Sequence, residues 1–253
     1  MAHAIEVSEL VRTFGPRRAV DGVSFCVQPG EVFGLLGTNG AGKTTTTRLL
    51  NGVLRPHGGR ISVLGLDPSR DGCRLRRQTG VLTETPSLYE RLSARENLRV
   101  FGELYGVDER SLPGRVDGML AFFGLSERAD DPVAGFSKGM KQRLALARTL
   151  VHEPPLLFFD EPTAGLDPEA ARQVKDLIAE LSRSERRTVV LCSHNLDEAE
   201  HLCNRVAIMN QGRLLAEGSV EQLARQLWRS VWVDIRCRTP LADSAVSAVG
   251  ALP

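Results

Sequence analysis

Between the apolar run Val32–Leu36 and the segment Thr44–Asn51 the chain reads Gly37-Thr38-Asn39-Gly40-Ala41-Gly42-Lys43-Thr44. This spacing, G-x-x-x-x-G-K-[ST], limits the fold more than any other feature, because it works only where a buried strand passes directly into the first turn of a helix. Its glycines let successive backbone N–H groups turn inward around phosphate oxygens, and the helix end adds partial positive charge. Lys43 is expected to reach the β- and γ-phosphates of a nucleotide. Thr44 is expected to ligate magnesium through its hydroxyl, with Thr45 beside it at the helix start.

Composition narrows the alternatives. The 253 residues are 42% hydrophobic and 25% charged, enough for a large α/β core with an insertion. Thirty-two basic residues against 31 acidic ones leave a net charge of +1, so nothing global suggests a grip on nucleic acid or acidic lipid. The longest stretch without a charged residue, Val32–Gly42, is far short of the ~20 residues of a membrane-crossing helix. Met1–Leu10 carries Glu6 and Glu9 and predicts neither a secretory signal nor a transit peptide. Cys26, Cys73, Cys192, Cys203 and Cys237 show no C-x-x-C spacing, which argues against zinc and a disulfide framework and for a reducing cytoplasm.

Apolar, β-branched runs alternate with helical periods, the pattern of a largely parallel sheet covered by helices. A β-rich N-terminal layer is followed by a strand at Val32–Leu36, a helix at Thr44–Asn51 and a short strand at Arg60–Val63. From about Pro86 to Arg148 the chain turns helical, at Ala94–Tyr105, at Leu112–Phe123 and from Ser137. Ser93-Ala94-Arg95-Glu96 has the form of a capping box and sets one helix start. The alternation resumes with a strand at Leu156–Asp160. A helix follows from an Asp167 cap to about Ser184, facing the sheet through Ala170, Val174, Leu177, Ile178 and Leu181. Thr188–Cys192 and Arg205–Asn210 read as strands around a helix at Asp197–Leu202. Ser219-Val220-Glu221-Gln222 caps a helix to about Gln226, and Val231–Arg236 alternates like a strand.

Leu156-Leu157-Phe158-Phe159-Asp160-Glu161 is a buried strand ending in two acids. Asp160 suits a magnesium ligand, and Glu161, on the opposite side of the extended chain, suits the group that polarises water. With Phe136-Ser137-Lys138-Gly139-Met140, then Lys141-Gln142-Arg143, and Asp160-Glu161 following in order, the chain resembles the ATP-binding subunit of ABC transporters over roughly Ile5–Glu217. Ser137 is an N-cap candidate and Gly139 permits close backbone approach, so this helix start is a second anion-binding end.

The resemblance implies ATP and Mg2+ as cofactors. It implies that Ser137, Lys138, Gly139 and Met140 cap the γ-phosphate of an ATP held by a second subunit, and that Ala164-Gly165-Leu166-Asp167 crosses the dimer interface. It also implies that His194 is the switch histidine on that phosphate, and that Phe14 stacks on adenine where tyrosine is commoner. In two places the chain departs from the pattern. Lys138 and Met140 replace a glycine and a glutamine of the usual signature, and Glu84 stands where a glutamine usually touches magnesium and reports to the membrane partner. Plainer readings also fit: Phe14 as a core ring, Lys138 and Lys141 as a solvated helix face, Glu84 as an ordinary loop acid and His194 as a structural strand-end residue.

The expected fold is therefore α/β, a P-loop NTPase core with a mixed, mainly parallel sheet, an N-terminal antiparallel β layer and a helical subdomain inserted at about 86–148. Residues 1–220 would form the ATPase domain and 221–253 a C-terminal extension. The resemblance implies an ATPase on the cytoplasmic face of the membrane, coupled to a separate transmembrane permease that exports, and working as a homodimer with no nucleic-acid partner. The segment Glu84–Asn97, with Leu88-Tyr89 on a loop, is the expected permease contact. A soluble ABC-type ATPase acting on nucleic acid or ribosomes is the alternative, and a nucleotide-gated clamp without turnover ranks last, because Glu161 and His194 are both present.

Overall fold

In the computed structural model, residues 3–85, 87–183 and 186–227 are described. β3 (Val32–Leu36) is buried along its whole length, as a strand must be when it has neighbours on both edges and cover on both faces. It pairs in parallel with β7 (Thr188–Ser193) on one edge and β8 (Arg205–Asn210) on the other. The full sheet runs β5-β6-β7-β3-β8-β9, with β5 (Thr79–Leu82) and β6 (Leu156–Asp160) also parallel. β9 (Arg213–Gly218) returns antiparallel from β8 and makes the sheet mixed, as expected.

The N-terminal layer is a separate antiparallel sheet in the order β2-β1-β4, formed by β1 (Ile5–Phe14), β2 (Arg17–Val27) and β4 (Gly58–Val63). Its inward residues Ile5, Leu10, Val20 and Phe25 share a core with Phe33, Leu35 and Phe158 of the large sheet and with Leu49 and Leu50 of α1 (Lys43–Leu50). The Phe25 and Phe33 rings stack at 5.3 Å and join the two sheets. α2 (Pro68–Arg76) leads from this layer into β5 and is bent at Asp71.

The insertion between β5 and β6 is helical: α3 (Ala94–Tyr105), α4 (Leu112–Phe122) and α5 (Lys138–Leu150). The Ser93 box is formed as expected: Ser93 Oγ accepts from the Glu96 N–H at 3.1 Å and Glu96 Oε2 from the Ser93 N–H at 2.8 Å. The three helices share a core with the other face of the sheet and with α6 (Pro168–Arg183), through Leu98, Leu120, Leu144, Phe159 and Ile178. Leu88 packs against this core and is not a free loop residue, whereas Tyr89 is exposed and stacks on Phe101. α7 (Leu196–Leu202) and α8 (Val220–Leu227) follow, and Leu223 is buried with Leu36, Ala199 and Val206. Ser219 and Gln222 cap α8 reciprocally, as expected, and the strand expected at Val231–Arg236 lies outside the described residues. Among the described residues no helix is long and apolar enough to cross a membrane.

One half-buried titratable group ties the insertion to the sheet. His152, just past α5, stacks on Tyr105 at 4.1 Å and its Nε2 lies 3.2 Å from the Thr79 carbonyl oxygen. Burial pushes the imidazole down from 6.5 to about 4. As the pH falls below 6.5 the unfolded chain takes up a proton that the folded chain refuses, so stability present at pH 7 is lost on the way to pH 4. Urea unfolding at pH 7 and pH 4.5 should show the wild type losing on the order of 2 kcal/mol more than His152→Gln. Equal losses in both proteins would contradict this role.

Candidate functional site

The phosphate loop leaves β3 and enters α1 under close backbone constraint. A β-carbon on Gly37 (φ +153) would lie 2.3 Å from the Met209 carbonyl oxygen, and one on Gly42 (φ +111) 2.4 Å from that of Ala19. These glycines are therefore required by the strands that pass behind the loop, and Gly37 does not line the cavity in front of it. The β8–β9 turn braces the loop, with the Gly212 N–H donating to the Ala41 carbonyl at 2.9 Å. No side chain caps α1, so its first N–H groups remain available to an anion.

In front of the loop lies a cavity of about 380 Å³ lined by every residue from Thr38 to Thr45 together with Phe14, Glu84, Asp160 and Glu161. Lys43 is only 6% exposed; its Nζ donates to the Gly37 carbonyl at 2.6 Å and stands 3.9 Å from Glu161 Oε1. Phe14 is not a core ring. It is 46% exposed, and the Arg12 guanidinium lies 4.8 Å from its ring centroid. A flat base can then take the other face.

Thr44 Oγ1 donates to Asp160 Oδ2 at 2.9 Å, which brings two of the three expected metal ligands together, and the third, Glu84, lines the same cavity. Burial is the main force raising the Asp160 carboxyl above its ordinary range, and the neighbouring Glu161 and Glu84 add to it, against the Thr44 hydrogen bond and Lys43. Among the described residues no group of three His, Cys, Asp or Glu is assembled for a metal. One hydroxyl and one carboxylate nonetheless fit magnesium, which keeps several waters and takes its remaining ligands from phosphate. Cys192, behind this site, has its thiol pushed up to about 12 by burial and is an unreactive packing group.

Glu161 corrects the expectation of two acids on opposite sides of an extended chain. The strand ends at Asp160, Glu161 adopts φ +50, and both carboxylates line the same cavity. The left-handed turn is held by the Glu161 N–H, which donates to the Cys192 carbonyl at 2.9 Å. Glu161 Oε1 lies 2.8 Å from His194 Nδ1. A carboxylate only accepts, so Nδ1 carries the proton and Nε2 is the ring's free acceptor or, when protonated, donor. His194 is exposed beyond the end of β7, as a residue reaching toward a ligand must be.

The second group of expected residues lies elsewhere. Ser137, Lys138, Gly139 and Asp167 line a separate cavity of about 430 Å³ that shares no residue with the first. Ser137 Oγ accepts from the Met140 N–H at 3.2 Å and caps α5, and Asp167 accepts from the Ala170 N–H at 2.9 Å and caps α6. Met140 does not line this cavity; its side chain packs against the helical core and its N–H is on the Ser137 cap. Lys141 is not merely solvated, since it pairs with Glu90 at 2.6 Å. Gln142 is buried and donates to the Pro162 carbonyl at 2.7 Å, linking α5 to the loop after Glu161. Sequence reasoning missed Arg17, which lines the first cavity and donates to the Gly40 carbonyl at 2.8 Å. An arginine pair beside a hairpin turn, Arg17-Arg18, carries no spacing signal.

A profile described as ABC transporter matches residues 20–164. The Nod factor export ATP-binding protein I of Rhizobium sp. (strain N33) is 42% identical, over 88% of this chain and 73% of its own length. The ABC transporter ATP-binding protein NatA of Bacillus subtilis (strain 168) is 39% identical, over 81% of this chain and 84% of its own. A solved structure of the ATP-binding subunit of an ABC transporter superposes with a TM-score of 0.81 at 35% identity, over 88% of this chain and 93% of its own.

The Asp160 shift has a signed consequence. A buried carboxylate whose folded pKa is raised opposes folding at neutral pH, and this penalty disappears when the charge is removed. In buffer without nucleotide or magnesium, Asp160→Asn should melt at the same Tm as the wild type or higher. A rise in Tm with magnesium and ATP is expected of the wild type and should be lost in Asp160→Asn. A lower Tm in the ligand-free buffer would contradict the electrostatic reading.

Proposed function

Since the chain belongs to the ABC transporter family of ATP-binding proteins and is an ATP-hydrolysing enzyme coupled to a transmembrane partner, we propose that its partner is an export permease and that two copies of the chain act head to tail. The observation that carries the hydrolytic part is the Glu161 carboxylate, in contact with His194 and 3.9 Å from Lys43 at the mouth of the phosphate loop. The head-to-tail arrangement is supported by the two cavities that share no residue: each ATP would lie between the phosphate loop of one copy and Ser137–Met140 of the other. Export is supported by the relative whose name says that it exports Nod factor.

In this reading Lys43 and the loop N–H groups hold the phosphates, and Phe14 stacks on adenine. Thr44 and Asp160 hold Mg2+, which when bound neutralises phosphate charge. Glu161 orients and deprotonates the attacking water, while His194 Nδ1–H on Glu161 leaves Nε2 for the γ-phosphate. Asp167 and the Ala164–Leu166 loop would lie at the dimer contact. Glu84 borders both the nucleotide cavity and a groove of about 540 Å³ that also contains Thr85, Ser87 and Tyr105. This shared position supports Glu84 as the residue that couples nucleotide state to the permease, with Tyr89 on the same side of the insertion as a contact.

Glu161→Gln should lower ATP turnover by about 10²–10⁴-fold while leaving ATP affinity within a few fold. With magnesium and ATP it should accumulate as a dimer in analytical ultracentrifugation. A monomer at saturating ATP would remove the head-to-tail arrangement. Glu84→Ala, assayed with the co-purified permease, should lower turnover and lose its stimulation by the permease; unchanged turnover together with intact stimulation would remove the coupling role.

A further inference from the structure

Glu198 lies in α7, outside the nucleotide cavity, and is 2% exposed. Its Oε2 accepts from Ser193 Oγ at 2.7 Å and its Oε1 from Thr163 Oγ1 at 3.0 Å. Ser193 Oγ in turn accepts from the Asn195 N–H at 3.1 Å, so its single proton is committed to Glu198. None of the ion pairs among the described residues includes this carboxylate. The carboxylate is met instead by two hydroxyl donors and by the N-terminal end of α7, and an apolar side chain in its place would leave the buried Ser193 hydroxyl without its acceptor.

What it holds are the two loops that carry the reacting pair. Thr163 is two residues after Glu161, and Ser193 immediately precedes His194. The Glu161 loop is also fixed at consecutive residues: the Glu161 N–H on the Cys192 carbonyl and Gln142 on the Pro162 carbonyl. His194 has no comparable packing, being 60% exposed, and its position depends on the backbone of residues 193–195 and on Glu161. We propose that Glu198 is a positioning residue that ties the loop after β6 to the loop after β7 and thereby sets the Glu161–His194 geometry for hydrolysis. It touches no reacting atom. Its effect belongs on turnover and not on nucleotide affinity, because its ties run to the loops after β6 and β7 and it does not line the cavity formed by Thr38–Thr45.

The proposal rests on the hydrolytic reading above, so its test has one arm that needs no turnover. In the protein without nucleotide, Glu198→Ala should raise hydrogen exchange at the Glu161 and Asn195 amides at least 10-fold, with exchange in β3 and α1 unchanged. In the second arm, Glu198→Ala should lower kcat at least 10-fold while KM and the Kd for ATP stay within 2-fold. Glu198→Gln fills the same space and keeps one acceptor for a hydroxyl; it should recover kcat to within about 3-fold of wild type. Thr163→Val and Ser193→Ala should each lower kcat, and their double variant should fall short of the product of the two effects, since both act through one carboxylate. Should Glu198→Ala fail to fold, these two milder variants and Glu198→Gln carry the same comparison. Unchanged exchange at both amides would overturn the proposal, as would a loss of ATP affinity equal to the loss of kcat, or equal impairment in Gln and Ala. A wild type without turnover would overturn the hydrolytic reading, and the exchange arm would still decide whether Glu198 ties the loops.

Discussion

The in-register parallel pairing of β6, β7 and β3 is the constraint on which the site depends. Leu36 at the end of β3 lies opposite Ser193 at the end of β7, and Asp160 at the end of β6 lies opposite Cys192. Three loops therefore leave the same edge of one rigid sheet: the phosphate loop, the Glu161 loop and the His194 loop. In parallel α/β sheets this carboxyl edge is where ligands bind, because the strand ends fix positions that no single loop could hold alone. A slip of one residue in β6 would exchange the buried Phe159 with Asp160 and put the carboxylate into the core.

The same edge concentrates charge that the chain alone does not balance. Asp160, Glu161 and Glu84 line one small cavity together with two cations, Lys43 and Arg17, which leaves one acid in excess. Burial is the first cause of the raised Asp160 pKa, and the neighbouring Glu161 and Glu84 add to it. A divalent cation with a polyphosphate resolves it from both sides, since the metal meets the acids and the phosphates meet Lys43 and the uncapped start of α1. The site is thus electrostatically incomplete as a protein and complementary to the charge distribution of a magnesium–nucleotide complex.

Much of this was legible in the residues, and the exceptions have identifiable causes. The apolar runs of β3 and β6 and the caps at Ser93, Asp167 and Ser219 gave boundaries that the structure matches, because each rests on a strong local preference. α2 was missed because Gly72 and the bend at Asp71 break its period, and β9 because Arg213 and Glu217 face outward on an edge strand with little apolar signal. The motif residues around Lys43 and Asp160 were identified correctly as neighbours. The left-handed Glu161 was not, since nothing in Asp-Glu-Pro announces φ +50 and the conformation is imposed by the Cys192 carbonyl from another strand. The direction of the Met140 side chain, packed against the helical core, is likewise not legible, because a motif position specifies a backbone location.

The start of α5 shows how a departure from the family pattern acts physically. Lys138 and Lys141 fall in its first turns with no acid among them, and a cation at a helix N-terminus opposes the dipole by about 0.3–1 kcal/mol. Lys141 is relieved by Glu90, and Glu90 lies in the loop that leads from Glu84 into α3. Lys138 instead extends back over Gly165, in the loop that begins with Glu161. An anion arriving at Ser137 would meet Lys138, which lines the same cavity and extends over the loop that carries the proposed base, whereas Lys141 does not line it. Lys138, in place of a glycine, therefore adds an electrostatic link between the start of α5 and the loop after Glu161, beside the hydrogen bond that Gln142 already supplies.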